Sequence, residues 1–212
     1  MAALIRKTFS VPPLGCNCSI LGDPETKEAV VVDPGGDPVR ILDEVQNLGL
    51  TVVKILHTHA HFDHFLASGT IKRATHATLC LHSDDRELWD MLELQCRVFG
   101  VEFGPAPPPE HWLQDEETLE FGRIKGVALH TPGHTPGSLC FYFHDHNLLL
   151  SGDTLFREGI GRTDLWGGDG RAIEQSIRER LYSLDESTQV IPGHGPETQI
   201  GFEQHNNPYI SG

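Results

Sequence analysis

The sequence predicts an α/β fold: two sheets packed face to face, with helices outside them. Three observations predict it. Short apolar, β-branched runs such as Val30-Val31-Val32 and Val52-Val53-Lys54-Ile55-Leu56 recur in two groups, each accompanied by segments of helical periodicity. Four of the runs lead into turns that carry metal-competent side chains. The chain has 212 residues, enough for one well-buried domain and short for two, so a single domain over residues 1–212 is expected.

The elements follow in order. Residues 8–11 and 17–21 read as strands broken by Pro12-Pro13-Leu14-Gly15, and residues 28–33 as a buried strand closed by Pro34-Gly35-Gly36. Asp33 ends that strand. It either hydrogen-bonds a metal ligand and its turn or caps the next helix. Pro38 suits a first helical turn, Val39, Leu42, Val45 and Leu48 recur at helical spacing, and Gly49 stops the helix. After the strand at 52–56 come a helix over 65–74, a short strand over 78–81 and an amphipathic helix over 84–99. The proline-rich residues 104–109 form a stiff surface connection. The second group has strands at 117–121, 126–131, 138–143 and 147–151, a helix over 171–181 with Ile173, Ile177 and Leu181 on one face, and a last strand at 189–191.

Composition excludes several classes. A hydrophobic fraction of 38% with 22 Gly and 14 Pro describes a globular, loop-rich chain. No run of about 18 apolar residues could span a bilayer. The first eleven residues hold Arg6 and Lys7 but no apolar core with a cleavage site, so no export signal is expected and the cytosol is the default location. The net charge of −14 opposes a phosphate backbone, which removes nucleic acid as a partner. The five Cys (Cys16, Cys18, Cys80, Cys96 and Cys140) are odd in number with no CxxC pair, which suits reduced thiols. Cys16 and Cys18 are read as packing residues.

The chemistry lies in Thr58-His59-Ala60-His61-Phe62-Asp63-His64. In an extended segment His59, His61 and Asp63 project to one side, and His64 then opens a helix from a neighbouring direction. Imidazoles and a carboxylate converging from one loop suit a borderline divalent ion such as zinc. Three later strand ends add a ligand each: Thr131-Pro132-Gly133-His134, Ser151-Gly152-Asp153 and Ile191-Pro192-Gly193-His194. His57 and His130 flank ligand segments and are read as structural, as are His76, His82, His111, His144, His146 and His205.

On these motifs the sequence resembles the metallo-β-lactamase superfamily, with its HxHxDH loop, later His, bridging Asp and final His. The resemblance covers nearly the whole chain and implies an αββα sandwich of two mixed sheets with outer helices. Pro132-Gly133-His134-Thr135-Pro136-Gly137 and Ile191-Pro192-Gly193-His194-Gly195 look most like the glyoxalase II group in its short form, which hydrolyses acylglutathione thioesters. It implies two divalent ions per chain, zinc in the first place, with iron or manganese admitted by the same ligands. One ion would be held by His59, His61 and His134, the other by Asp63, His64 and His194, with Asp153 bridging. A metal-bridging hydroxide would attack the thioester carbonyl of S-lactoylglutathione or a related acylglutathione, oriented by Asp63. The leaving thiol, with a pKa near 8.5, departs without a strong general acid.

Some features depart from the group or admit rivals. Full-length glyoxalase II proteins carry a C-terminal helical domain that contacts glutathione. Only residues 195–212 follow His194, so no such domain is expected. Arg162 is the candidate for a substrate carboxylate, with an internal ion pair to Asp164 or Asp169 as its alternative. The main rival is a persulfide dioxygenase of the same superfamily acting on glutathione persulfide, with one iron on His59, His134 and Asp153. Residues 161–164 resemble that group too, whereas Gly193-His194-Gly195, completing a second site, favours hydrolysis. A secreted β-lactamase is disfavoured by the missing export signal and by Asp153. A lactonase would use the same nucleophile. A scaffold that had lost its chemistry predicts an eroded ligand, and all seven are present.

Overall fold

The computed structural model describes residues 3–104 and 106–210. Pro105, within the expected 104–109 connection, and residues 1, 2, 211 and 212 of the expected single domain lie outside the described residues. The rest of that connection carries no helix or strand. Contacts gather the chain into two units, Met1–Leu113 with Glu120–Ile124, and Gln114–Leu119 with Lys125–Gly212.

The first unit is built on a mixed sheet. Strands β1 (Ile5–Val11), β2 (Cys16–Gly22) and β3 (Glu28–Val32) form an antiparallel meander. Helix α1 (Pro38–Asn47) carries the chain to β4 (Thr51–Leu56), parallel to β3. Pro38 opens α1 as expected, and the capping acceptor is Asp37, which takes the Arg40 N–H. Helix α2 (Ser68–Thr75) leads to β5 (Thr78–His82), again parallel. The apolar faces of Ile20, Val31, Ile55, Ile41 and Ile71 meet in one core cluster, which explains why those strands read as continuous hydrophobic runs.

The helix expected over 84–99 is interrupted. It forms as α3 (Arg86–Asp90) and α4 (Leu92–Phe99) with a break at Met91. At the break the Leu88 carbonyl accepts the side-chain amide of Gln95 at 2.9 Å as well as the Met91 N–H at 3.2 Å. A side chain reaching back into the ladder is a recognised cause of helix interruption. Strand β6 (His111–Leu113), three residues long and too short for a periodic signal, completes the sheet in the order β1-β2-β3-β4-β5-β6.

The second sheet is also mixed. Strands β7 (Thr118–Phe121), β8 (Ile124–His130), β9 (Leu139–Phe143) and β10 (Leu148–Gly152) follow one another across it. A two-stranded hairpin, β11 (Leu155–Phe156) with β12 (Gly159–Ile160), then leads to α5 (Gly170–Ser176), capped by Asp169. The helix widens into a π-turn over Ile177–Leu181, and Ile173, Ile177 and Leu181 are buried together as the spacing predicted. Strand β13 (Gln189–Pro192) lies parallel to β10, and β14 (Thr198–Gln199) and α6 (Ile200–Asn206) follow. Among the described residues no helix is long and apolar enough to cross a membrane.

Candidate metal centre

In the first unit the ligand loop begins where β4 ends. His59, Asp63 and His64 are buried, and Phe62–His64 forms one tight helical turn. The Nε2 of His59 lies 3.1 Å from Nδ1 of His61, and Nε2 of His64 lies 3.7 Å from Oδ2 of Asp63. Two atoms bound to one tetrahedral ion at about 2.1 Å sit about 3.4 Å apart. The donor atoms are thus spaced as ligands are, and burial of imidazoles beside a carboxylate suits a divalent cation.

Asp33 organises this loop. Its carboxylate accepts the Thr58 N–H at 2.8 Å and the Thr58 hydroxyl at 2.7 Å, and faces Nδ1 of His64 at 3.0 Å. Thr58 Oγ1 lies in turn 3.0 Å from Nδ1 of His59. Asp33 therefore supports the ligands, while Asp37 caps the helix. A ring nitrogen held from behind leaves the other turned toward the metal position with a fixed tautomer. Gly35 allows the close approach this needs, since a Cβ there would lie 1.8 Å from the Asp63 carbonyl oxygen.

The neighbouring groups are structural. His57 stacks on Phe65 with ring centroids 3.5 Å apart, and burial pushes its pKa down to about 3, so it is a neutral core imidazole. Cys16 lies 3.5 Å from Nδ1 of His64, and burial pushes its thiol up to about 12. Its sulfur packs against the Asp33 carbonyl and the ring nitrogen of His64 that also faces Asp33, as a packing residue would, and all five cysteines are buried outside any disulfide. His130, as expected, is held structurally, with Nε2 at 2.8 Å from the Pro136 carbonyl.

In the second unit three strand ends converge. The turn after β8 presents His134; Thr135 N–H donates to Ser138 Oγ at 3.0 Å, and Gly133 (φ 136°) lets the backbone press against Ile173 of α5. His134 Nδ1 donates to the Arg162 carbonyl at 2.8 Å, which fixes its tautomer and frees Nε2 for the site. That Nε2 lies 3.6 Å from Oδ2 of Asp153, and Nε2 of His194 lies 3.7 Å from the same oxygen. One carboxylate oxygen flanked by two imidazole nitrogens is the local pattern of a shared ligand, and the donor set fits divalent metal in both units.

Arg162 takes the internal course. Its guanidinium makes a bidentate pair with Asp164 at 2.8 and 2.9 Å, which holds that exposed carboxyl down to about 2. The support that Arg162 gives the ligands comes from its backbone carbonyl, which sequence reasoning had no means of singling out. Asp85 and Gln95 carry no sequence signal for another reason: their side chains reach backbone of the loop at residues 60–62 from a distant element.

Comparisons with known proteins agree with this architecture. The metallo-beta-lactamase superfamily model matches residues 11–194. Hydroxyacylglutathione hydrolase GloC of Haemophilus influenzae is 36% identical over 197 residues, covering 92% of each chain. The crystal structure of BLEG-1 B3 metallo-beta-lactamase superposes with a TM-score of 0.91 at 38% identity, covering 98% of this chain and all of that one. TTHA1623 in a di-iron-bound form gives 0.89 at 37% identity, covering 96% of this chain and all of its own. With its two mixed sheets and flanking helices, the chain belongs to the metallo-β-lactamase superfamily and has the fold of its metallo-hydrolases.

Proposed function

We propose that this chain is a binuclear metallohydrolase that cleaves a glutathione thioester, with S-lactoylglutathione or a related acylglutathione as substrate. The observation that carries the reading is Asp153 Oδ2, set between the ring nitrogens of His134 and His194 as a shared ligand would be. The GloC relative, named a hydroxyacylglutathione hydrolase, supports the substrate class. His59, His61 and His134 would hold one ion, Asp63, His64 and His194 the other, with Asp153 common to both. Zinc is the first expectation; the di-iron form of a similar protein supports iron as well.

Divalent ions held there would supply Lewis acidity, lowering the pKa of water toward neutrality and polarising a carbonyl. The chain's own groups do the rest. Asp63, buried beside His64, would accept a hydrogen bond from the attacking oxygen and aim its lone pair. Asp33 and the Arg162 carbonyl keep His64 and His134 in one tautomer. A thioester suits such a site because its thiol, with a pKa of about 8.5, leaves as thiolate. Arg162 would meet a glutathione carboxylate by exchanging it for Asp164. Free, buried thiols support a reducing location such as the cytoplasm.

The test is metal analysis of the purified protein with S-lactoylglutathione hydrolysis measured before and after chelation. Two ions per chain are expected, with hydrolysis lost on chelation and regained on reloading. Asp153→Ala is expected to lose the second ion and turnover. A single iron with oxygen uptake on glutathione persulfide would replace this reading by the dioxygenase one. Turnover of a β-lactam with none of the thioester would replace it by lactamase activity.

A further inference from the structure

We propose that Gln95 is a positioning residue for His61, acting through the two peptide groups on either side of it. Gln95 stands on α4, more than thirty residues from the loop, and its side-chain amide reaches across to it. Oε1 accepts the Phe62 N–H at 3.0 Å, and Nε2 donates to the Ala60 carbonyl at 3.1 Å. The Ala60 carbonyl belongs to the peptide entering His61, and the Phe62 N–H to the peptide leaving it. One rigid planar group therefore holds both backbone planes that set the direction of the His61 side chain.

The amide is itself anchored. Its second hydrogen goes to the Leu88 carbonyl at 2.9 Å, at the break between α3 and α4, so the contact that accompanies the interruption of that helix also fixes the plane of the amide. Asp85, fully buried, accepts the Ala60 N–H at 2.8 Å and fixes the peptide before. The rings of His59 and His64 are held by Thr58 and Asp33, and around His61 the backbone is held on both sides. A ligand must be held within about 0.5 Å of its productive position, and backbone clamped on both sides of the Cα achieves that.

This inference rests on the proposed function, in which His61 is a metal ligand. The test uses the full chain, stripped of metal and titrated with zinc against a chromophoric chelator. Gln95→Leu, which removes all three hydrogen bonds, is expected to weaken one of the two ions about 10–100-fold, the usual effect of losing a group that orients a ligand. Gln95→Glu keeps the acceptor for Phe62 N–H and loses the donors; it should fall between Gln95→Leu and wild type, and serves if the leucine variant does not fold. In a His61→Ala background the same substitution should cost no further affinity, because the residue it positions is gone. Wild-type affinity in Gln95→Leu, or an equal loss with and without His61, overturns the proposal. Failure of the wild-type chain to take up two ions would instead count against the function on which it rests.

Discussion

Replacing Asp33 with Asn tests whether a carboxylate behind the ligands does more than fill space. The two side chains have nearly the same shape, and Asn tolerates the left-handed backbone (φ 49°) that Asp33 adopts, so sterics and strain stay constant. What changes is the hydrogen bonding. The carboxylate meets three groups: Thr58 N–H at 2.8 Å, Thr58 hydroxyl at 2.7 Å and His64 Nδ1 at 3.0 Å. Asn has one acceptor oxygen, and its amide hydrogens must face the hydroxyl and the imidazole. The Thr58 hydroxyl can rotate; the imidazole can accept only by moving its proton to Nε2, the nitrogen needed for metal. Losing one charge-assisted bond in a buried site costs about 1.5–3 kcal/mol. Urea unfolding of metal-free Asp33→Asn should therefore show roughly 2 kcal/mol lower stability. Its zinc affinity should fall about 10–100-fold, equivalent to about 1.4–2.7 kcal/mol. Asp33→Ala adds strain, since alanine resists the left-handed region by about 1–2 kcal/mol. An Asp33→Asn protein within about 0.5 kcal/mol of wild type in both measurements would refute the reasoning.

Two further outcomes follow from the same loop. Gly35→Ala would drive a Cβ to 1.8 Å from the Asp63 carbonyl oxygen, a collision between backbones that no rotamer relieves. A loss of about 1–3 kcal/mol and weaker metal uptake are expected, read by thermal unfolding and metal analysis; an unchanged Tm would show that the loop can move aside freely. His57 sets an acid limit. Burial lowers its pKa from 6.5 to about 3, with Asp33 offsetting part of the effect, so the fold favours the neutral ring. Its contribution is fully present above the unfolded value and is lost as pH falls from about 6.5 toward 3, reaching roughly 3 kcal/mol by about pH 4. Metal-free His57→Gln should show a shallower decline of stability over that window, and parallel wild-type and variant curves would exclude the assignment.

The parts of this molecule that were legible in the sequence share a cause, and so do those that were not. Strands such as β3 and β4 are buried and end in Gly, Pro or His, so they announce themselves by apolar runs and punctuation. The helix at α6 buries few apolar side chains; its buried Glu203 is satisfied by Thr198 Oγ1, Asn207 Nδ2 and Glu158 N–H, a polar network with no periodic signature. Strands β11, β12 and β14 have two residues each, below the length at which alternation means anything. The break at Met91 depends on where the Gln95 amide finds its partners, a fact about distant chain rather than local propensity.

The same division runs through the candidate site. Metal chemistry admits few side-chain types, so His59, His61, Asp63, His64, His134, Asp153 and His194 are visible as residue types at strand ends. The groups that aim them are in large part backbone: the Ala60 and Arg162 carbonyls, which any residue could supply, and the Phe62 N–H, which any residue except proline could. It follows that position 162, whose side chain is exposed, can change residue while its carbonyl still holds His134. A proline at position 62 is different, because it removes the N–H that Gln95 accepts and should cost the His61 orientation while all seven ligand side chains remain.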